Sequence, residues 1–203
     1  VYALLGAVEW GYEEDGATLL AHLEKIVQYN VQSSDKEKFD GVMLDIEPYI
    51  SDSWKENPEE YMDRYISCMK KGYKFAQKNH LRTAICIPRH YDNQGLTSGL
   101  EELIKETCDE VAVMNYSCGN EIEAIRTEAA LSEKYGKELH CILEFQEVGK
   151  HGLTENKTYR NKGIDNAKET WEKLQKEYKN INVTRDYHWS RPVREMLEEK
   201  NAD

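Results

Sequence analysis

The sequence lacks an apolar run approaching the roughly 20 residues that a helix needs to cross a bilayer, so no membrane span is predicted. It also lacks an excess of positive charge. The 38 Asp and Glu outnumber the 27 Lys and Arg, giving a net charge of −11. A field of that sign repels phosphates and argues against nucleic acid as a partner, while a solvated surface accounts for it without any partner. Cysteine is sparse: Cys68, Cys86, Cys108, Cys118 and Cys141 cannot all pair internally, and none is spaced as CxxC. Neither a disulfide framework nor a zinc or redox centre is predicted. No metal-spaced cluster appears, and no cofactor is called for. No glycine-rich turn follows the first strand-like run, which weakens a dinucleotide-binding open sheet. Internal repeats and low-complexity segments are also missing. The opening run "VYALLGAVEW" has no methionine before it, so an N-terminal piece is expected to precede it.

What is present is an alternation. Short aliphatic runs ("VYALLGAVEW", "GVMLDIEPY", "TAICIPRH", "EVAVMNYS", "LHCILEFQ" and "NVTRDYHW") alternate with longer amphipathic stretches. In the stretch from Ala17 to Tyr29, Leu19, Leu20, Leu23 and Val27 fall at helical spacing. A second stretch starts at Asn57-Pro58 and repeats Tyr61, Tyr65, Met69 and Tyr73 at intervals of four. "LEELIKETC" and "EIEAIRTEAALSEKYG" read as two further helices, the latter stopping at Gly136. "IDNAKETWEKLQKEY" and "SRPVREMLEEK" flank the last strand. Strands alternating with helices predict an α/β protein with a parallel sheet covered by helices.

Polar and aromatic residues gather where each strand ends: Glu9-Trp10, Asp45 with Glu47, Arg89-His90, Asn115-Tyr116, Glu144 with Gln146, and His188-Trp189. A (β/α)8 TIM barrel places its active site at that end of its strands. Six strands in 203 residues fall short of the eight in a barrel of typically about 250 residues. The expectation is one barrel domain over residues 1–203, N-terminally incomplete, with about six strand–helix units present and two preceding Val1.

The densest motif is "FDGVMLDIEPY", Phe39 to Tyr49. In a strand, Met43, Asp45 and Glu47 share one face, while Val42, Leu44 and Ile46 share the other. Burying a carboxylate without a partner costs several kcal/mol, so two on one face imply a use. Two uses stand open: a catalytic pair, or a structural network with Arg82, Arg89 or Arg185.

This motif resembles the fourth-strand DxxDxDxE signature of family 18 glycoside hydrolases, the chitinases and their relatives. Asp40, Asp45 and Glu47 take the first Asp, third Asp and Glu positions; Met43 stands at the second Asp position. "VAVMNYS" is similar to that superfamily's sixth-strand MxYD motif, with Met114 and Tyr116 in place and Ser117 where Asp is usual. Trp189 resembles the tryptophan that floors the sugar subsite. The "LDIEP" variant suggests a divergent bacterial branch.

The resemblance implies hydrolysis of a polysaccharide or glycoconjugate in which the substrate's acetamide attacks the anomeric carbon. Glu47 would be the general acid, its pKa raised by burial and by Asp45. Asp45 would orient the acetamide, Tyr116 would hold its oxygen, and Trp10 or Trp189 would stack on the sugar. Asn115, Arg89 and His188 are further candidates for substrate contact. With Met43 in place of an Asp, two alternatives stand beside this one. One is a retaining glycosidase pairing Glu47 with Glu144, the latter on what counts as the seventh barrel strand; carboxylates about 5 Å apart would retain configuration. The other is a catalytically silent barrel that binds carbohydrate. A carbohydrate substrate points to the cell envelope or exterior, whereas five cysteines without evident pairing suit a reducing setting. The sequence carries no signal for an oligomeric state.

Overall fold

The computed structural model describes residues 1–202, with side chains described through residue 199. Six strands form one sheet, ordered β1 to β6 as in the chain: β1 (Tyr2–Leu5), β2 (Gly41–Leu44), β3 (Arg82–Pro88), β4 (Glu110–Met114), β5 (Glu138–Leu143) and β6 (Val183–Tyr187). The sequential order and parallel pairing require a crossover after each strand, and helices supply them. They are α1 (Ala17–Gln32), α2 (Asp52–Glu56), α3 (Pro58–Lys78), α4 (Thr97–Thr107), α5 (Glu121–Ala124), α6 (Arg126–Tyr135), α7 (Ile164–Glu177) and α8 (Ser190–Ala202). The expected α/β class and strand–helix alternation hold, and β1–β2, β2–β3 and β5–β6 pair parallel. Among the described residues, no helix is long and apolar enough to cross a membrane.

The chain divides into two compact units, Val1–Val111 and Ala112–Asp203. In the first, β1, β2 and β3 pair in register, with Leu5 opposite Leu44 and Leu44 opposite Ile85. Val42, Leu44, Ile85 and Ile87 are fully buried, as are Leu19 and Leu23 of α1, Tyr65 and Met69 of α3, and Leu100 and Leu103 of α4. Asn57 caps α3 by accepting from the Glu60 amide, and Pro58 occupies the first turn, where a missing N–H costs nothing.

At the N-terminal end of these strands, Arg82 bonds the buried Glu110 at 2.6 Å, and the Tyr2 hydroxyl donates to the same carboxylate. Arg82 is thereby engaged at the stability end of the sheet. Arg82→Ala is expected to cost about 2 kcal/mol, because it leaves a buried carboxylate short of a charged donor. A thermal melt should show this as a fall in Tm of roughly 4–8 °C.

In the second unit β5 and β6 pair from Leu139↔Val183 to Leu143↔Tyr187. Trp171 of α7 lies against Phe145 and donates its indole N–H to the Cys141 carbonyl at 3.0 Å. Cys141 and Cys86 are buried within strands, as small hydrophobes are. One helical reading needs correction. "EIEAIRTEAALSEKYG" is two helices, because Ile125 leaves helical geometry (φ −125°, ψ 18°) and buries its side chain completely. Tertiary burial here overrides local periodicity. Gly136 does stop α6, in the left-handed conformation a C-terminal glycine favours.

Candidate functional sites at the strand ends

In the first unit the site begins where β2 stops pairing. The ladder ends at Leu44, yet the Asp45 amide still donates to the Leu5 carbonyl at 2.7 Å. The alternation therefore runs past the strand: Met43, Asp45 and Glu47 are half-buried, while Val42, Leu44 and Ile46 are buried. A Cβ on Gly6 would lie 1.9 Å from the Asp45 carbonyl oxygen, so only glycine admits this approach of β1 to the carboxylate strand.

Beyond Glu47 the chain turns through a 3-10 segment, Pro48–Ile50, pinned by the Tyr12 hydroxyl donating to the Pro48 carbonyl at 2.9 Å. That turn brings Tyr49 back so that its hydroxyl donates to Glu47 Oε1. Aromatic rings collect behind this pair. Tyr49 meets His90 edge-on at 5.1 Å and Tyr91 at 5.9 Å, and Trp54 lies 5.6 Å from Tyr91.

Burial, then the neighbouring Arg89, hold the His90 pKa below its ordinary value, so the ring favours the neutral form. Tyr91 is buried, with Glu47 and Tyr12 among the groups that raise its pKa further. Tyr65 beneath them is pushed up by burial first, then by Tyr91, the cysteines and Asp45. Both phenols therefore stay protonated around the two carboxylates. Tyr65 and Tyr91 carry no site signal in the sequence. Only Tyr49 carries a signal, lying two residues beyond Glu47 with the same parity.

Arg89 is half-buried just past β3, beside His90. Trp10 sits in a 3-10 segment, Val8–Tyr12, with its ring 4.5 Å from that of His22 on α1.

No family model and no curated protein matches this sequence. Among solved structures, catalytic domain 2 of the Group II chitinase of Ostrinia furnacalis aligns with a TM-score of 0.41 at 15 % identity, over 78 % of this chain and 51 % of that one. A glutamate-to-leucine variant of the same domain, in complex with penta-N-acetylchitooctaose, aligns with the same values. This chain spans about half the length of that domain.

The second unit has its own polar cluster. Glu144, directly after β5, is 2 % exposed. Its Oε1 accepts from the Phe145 and Gln146 amides at 2.8 Å each; its Oε2 accepts from His188 Nδ1 at 2.7 Å and from the Gln146 side chain at 3.2 Å. Burial alone would raise the Glu144 pKa, but His188 and the Gln146 donors outweigh it and hold the pKa below 4.5. Tyr116 lies with its ring 6.0 Å from that of His188. Structure thus gathers Tyr116, Glu144 and His188. Asn115 is buried and spends its amide on the Glu121 carbonyl at 2.9 Å, bracing the loop after β4.

Trp189 is exposed, with φ at +33°, a left-handed conformation costly for a bulky residue. It lines a concavity of about 470 Å³ with Gln146, Lys150, Arg160, Arg191 and Glu195. Another concavity, of about 790 Å³, lies at α5 and α7; Lys162 and Lys173 there face Glu121, Glu123 and Glu177, giving no field of one sign.

The depressed Glu144 pKa has a stability consequence. Its contribution is complete above the unfolded value near 4.5 and is lost as pH falls through the lower folded value. In urea titrations from pH 3 to 7, His188→Gln is expected to flatten the acid limb, because the folded value moves back toward the unfolded one.

Proposed function

We propose that this protein is glycoside-hydrolase-like and acts on a polysaccharide or glycoconjugate, with Glu47 as general acid and Asp45 as its electrostatic partner. The observation carrying this reading is the placement of both side chains. They stand half-buried on one face, immediately beyond the C-terminal end of a parallel strand, where α/β folds assemble their sites. Buried residues of the opposite face hold the segment rigid, and Tyr49 fixes the Glu47 carboxyl. In this reading the six strand–helix units belong to a (β/α)8 barrel, and the sugar is met outside the cytoplasm.

Protonation of a glycosidic oxygen by a positioned carboxyl is worth roughly 10²- to 10⁴-fold in rate. Asp45 would stabilise the positive charge that develops as the bond breaks. A panel of chromogenic glycosides with chitin and peptidoglycan oligomers tests the reading. Hydrolysis of at least one is expected; neither hydrolysis nor binding of any would count against it.

One observation favours a second reading, a carbohydrate-binding protein without turnover. Met43 shares the half-buried face with Asp45 and offers no proton to it. That protein would bind an oligomer from the panel and release no product.

A further inference from the structure

A carboxylate has about four lone-pair positions, and Glu144 has four donors on them. With 2 % of its surface exposed it offers neither an accessible oxygen to attack a sugar nor a proton to give. It is built as a fixed anion. The group that this anion holds is different: 46 % of the His188 side chain is exposed. An ionised carboxylate only accepts, so the His188 nitrogen facing it, Nδ1, carries a proton, and the exchangeable position of the ring is Nε2.

The His188 backbone is also anchored, its amide donating to the Leu143 carbonyl at 2.8 Å, so both ends of the dyad grow from paired strands. Immediately after it the chain enters the left-handed conformation at Trp189. A strained, exposed tryptophan costs about 1–3 kcal/mol and is characteristic of functional positions rather than of plain turns.

We propose that Glu144 and His188 form a carboxylate–imidazole dyad in which His188 exchanges a proton with a ligand hydroxyl or a bound water, and Glu144 is its positioning residue. Glu144 is then no nucleophile, and a retaining mechanism through a Glu144 ester is excluded. In that exchange Nε2 takes one proton from the ligand hydroxyl or the bound water. The ring holds it as an imidazolium against the Glu144 carboxylate and gives it back to the same oxygen, so the dyad ends as it began. The dyad itself stands on the geometry alone; the choice of a carbohydrate ligand rests on the function proposed above.

The test is a set of NMR titrations of the His188 ring, in the wild type and in Glu144→Gln, each with and without an N-acetylglucosamine tetramer. Loss of the anion is expected to lower the His188 titration midpoint by about one pH unit or more. The tetramer is expected to move the wild-type ring resonances. A midpoint unchanged in Glu144→Gln overturns the dyad; a ring insensitive to the tetramer overturns carbohydrate as its ligand.

A covalent sugar adduct on Glu144 in the wild type also overturns the proposal, since it would make Glu144 a nucleophile and not a fixed anion. Absence of all hydrolysis would defeat the glycosidase reading alone, since the ring titrations need no turnover.

Discussion

Replacing Glu47 with Gln is expected to remove nearly all turnover while leaving oligosaccharide affinity within a few-fold of wild type. Glutamine keeps the shape of the side chain and can accept the Tyr49 hydroxyl bond, but it has no proton to give. Because the proton is transferred as the glycosidic bond breaks, the loss falls on the transition state and not on ground-state binding. The expected fall in kcat is roughly 10²- to 10⁴-fold, with KM little changed. Steady-state kinetics together with calorimetric binding separate this from the silent-barrel reading, in which wild type and variant bind alike and neither turns over.

Gly6→Ala is expected to have the largest effect on folding. The new methyl would sit 1.9 Å from the Asp45 carbonyl oxygen and 2.5 Å from its carbonyl carbon, and backbone cannot swing aside as a side-chain tip can. Either β1 moves off β2, breaking the Asp45 amide bond to Leu5, or the Asp45 peptide rotates. Overpacking of this kind costs about 3 kcal/mol. For a chain of this size that is a fall in Tm of roughly 6–12 °C. Any variant that still folds should also lose activity, because the displaced peptide carries Asp45 and shifts Glu47 two residues on. A melt unchanged within 1 °C would mean that the close approach of β1 is not required.

Much of this was legible in the residues because it depends on local rules. Aliphatic runs became strands, and the period-two reading of "VMLDIE" located both carboxylates on one face, even past the point where pairing stops. Asn57-Pro58 and Gly136 marked helix ends as their chemistry requires. The remainder depended on contacts between distant segments. Glu144 reads in the sequence as a candidate nucleophile, and only the fold brings His188, 44 residues later, to its Oε2 as a partner. Trp10 offered a sugar platform in the sequence, while its tilted ring contact with His22 of α1, at 4.5 Å, depends on where α1 returns. Ile125 broke a regular helical pattern because burial of its side chain outweighed the continuing helix. Tyr91 and Tyr65 gave no signal, since a buried tyrosine of the core and one surrounding a carboxylate are written identically.

The most direct measurement is a crystal structure of the Glu47→Gln variant soaked with an oligosaccharide that the wild type hydrolyses. The expected result is an intact oligomer whose scissile glycosidic oxygen lies within hydrogen-bond reach, about 2.6–3.2 Å, of the residue 47 side chain. An oligomer bound elsewhere, with residue 47 out of reach of any glycosidic oxygen, would contradict the assignment of Glu47 as the acid.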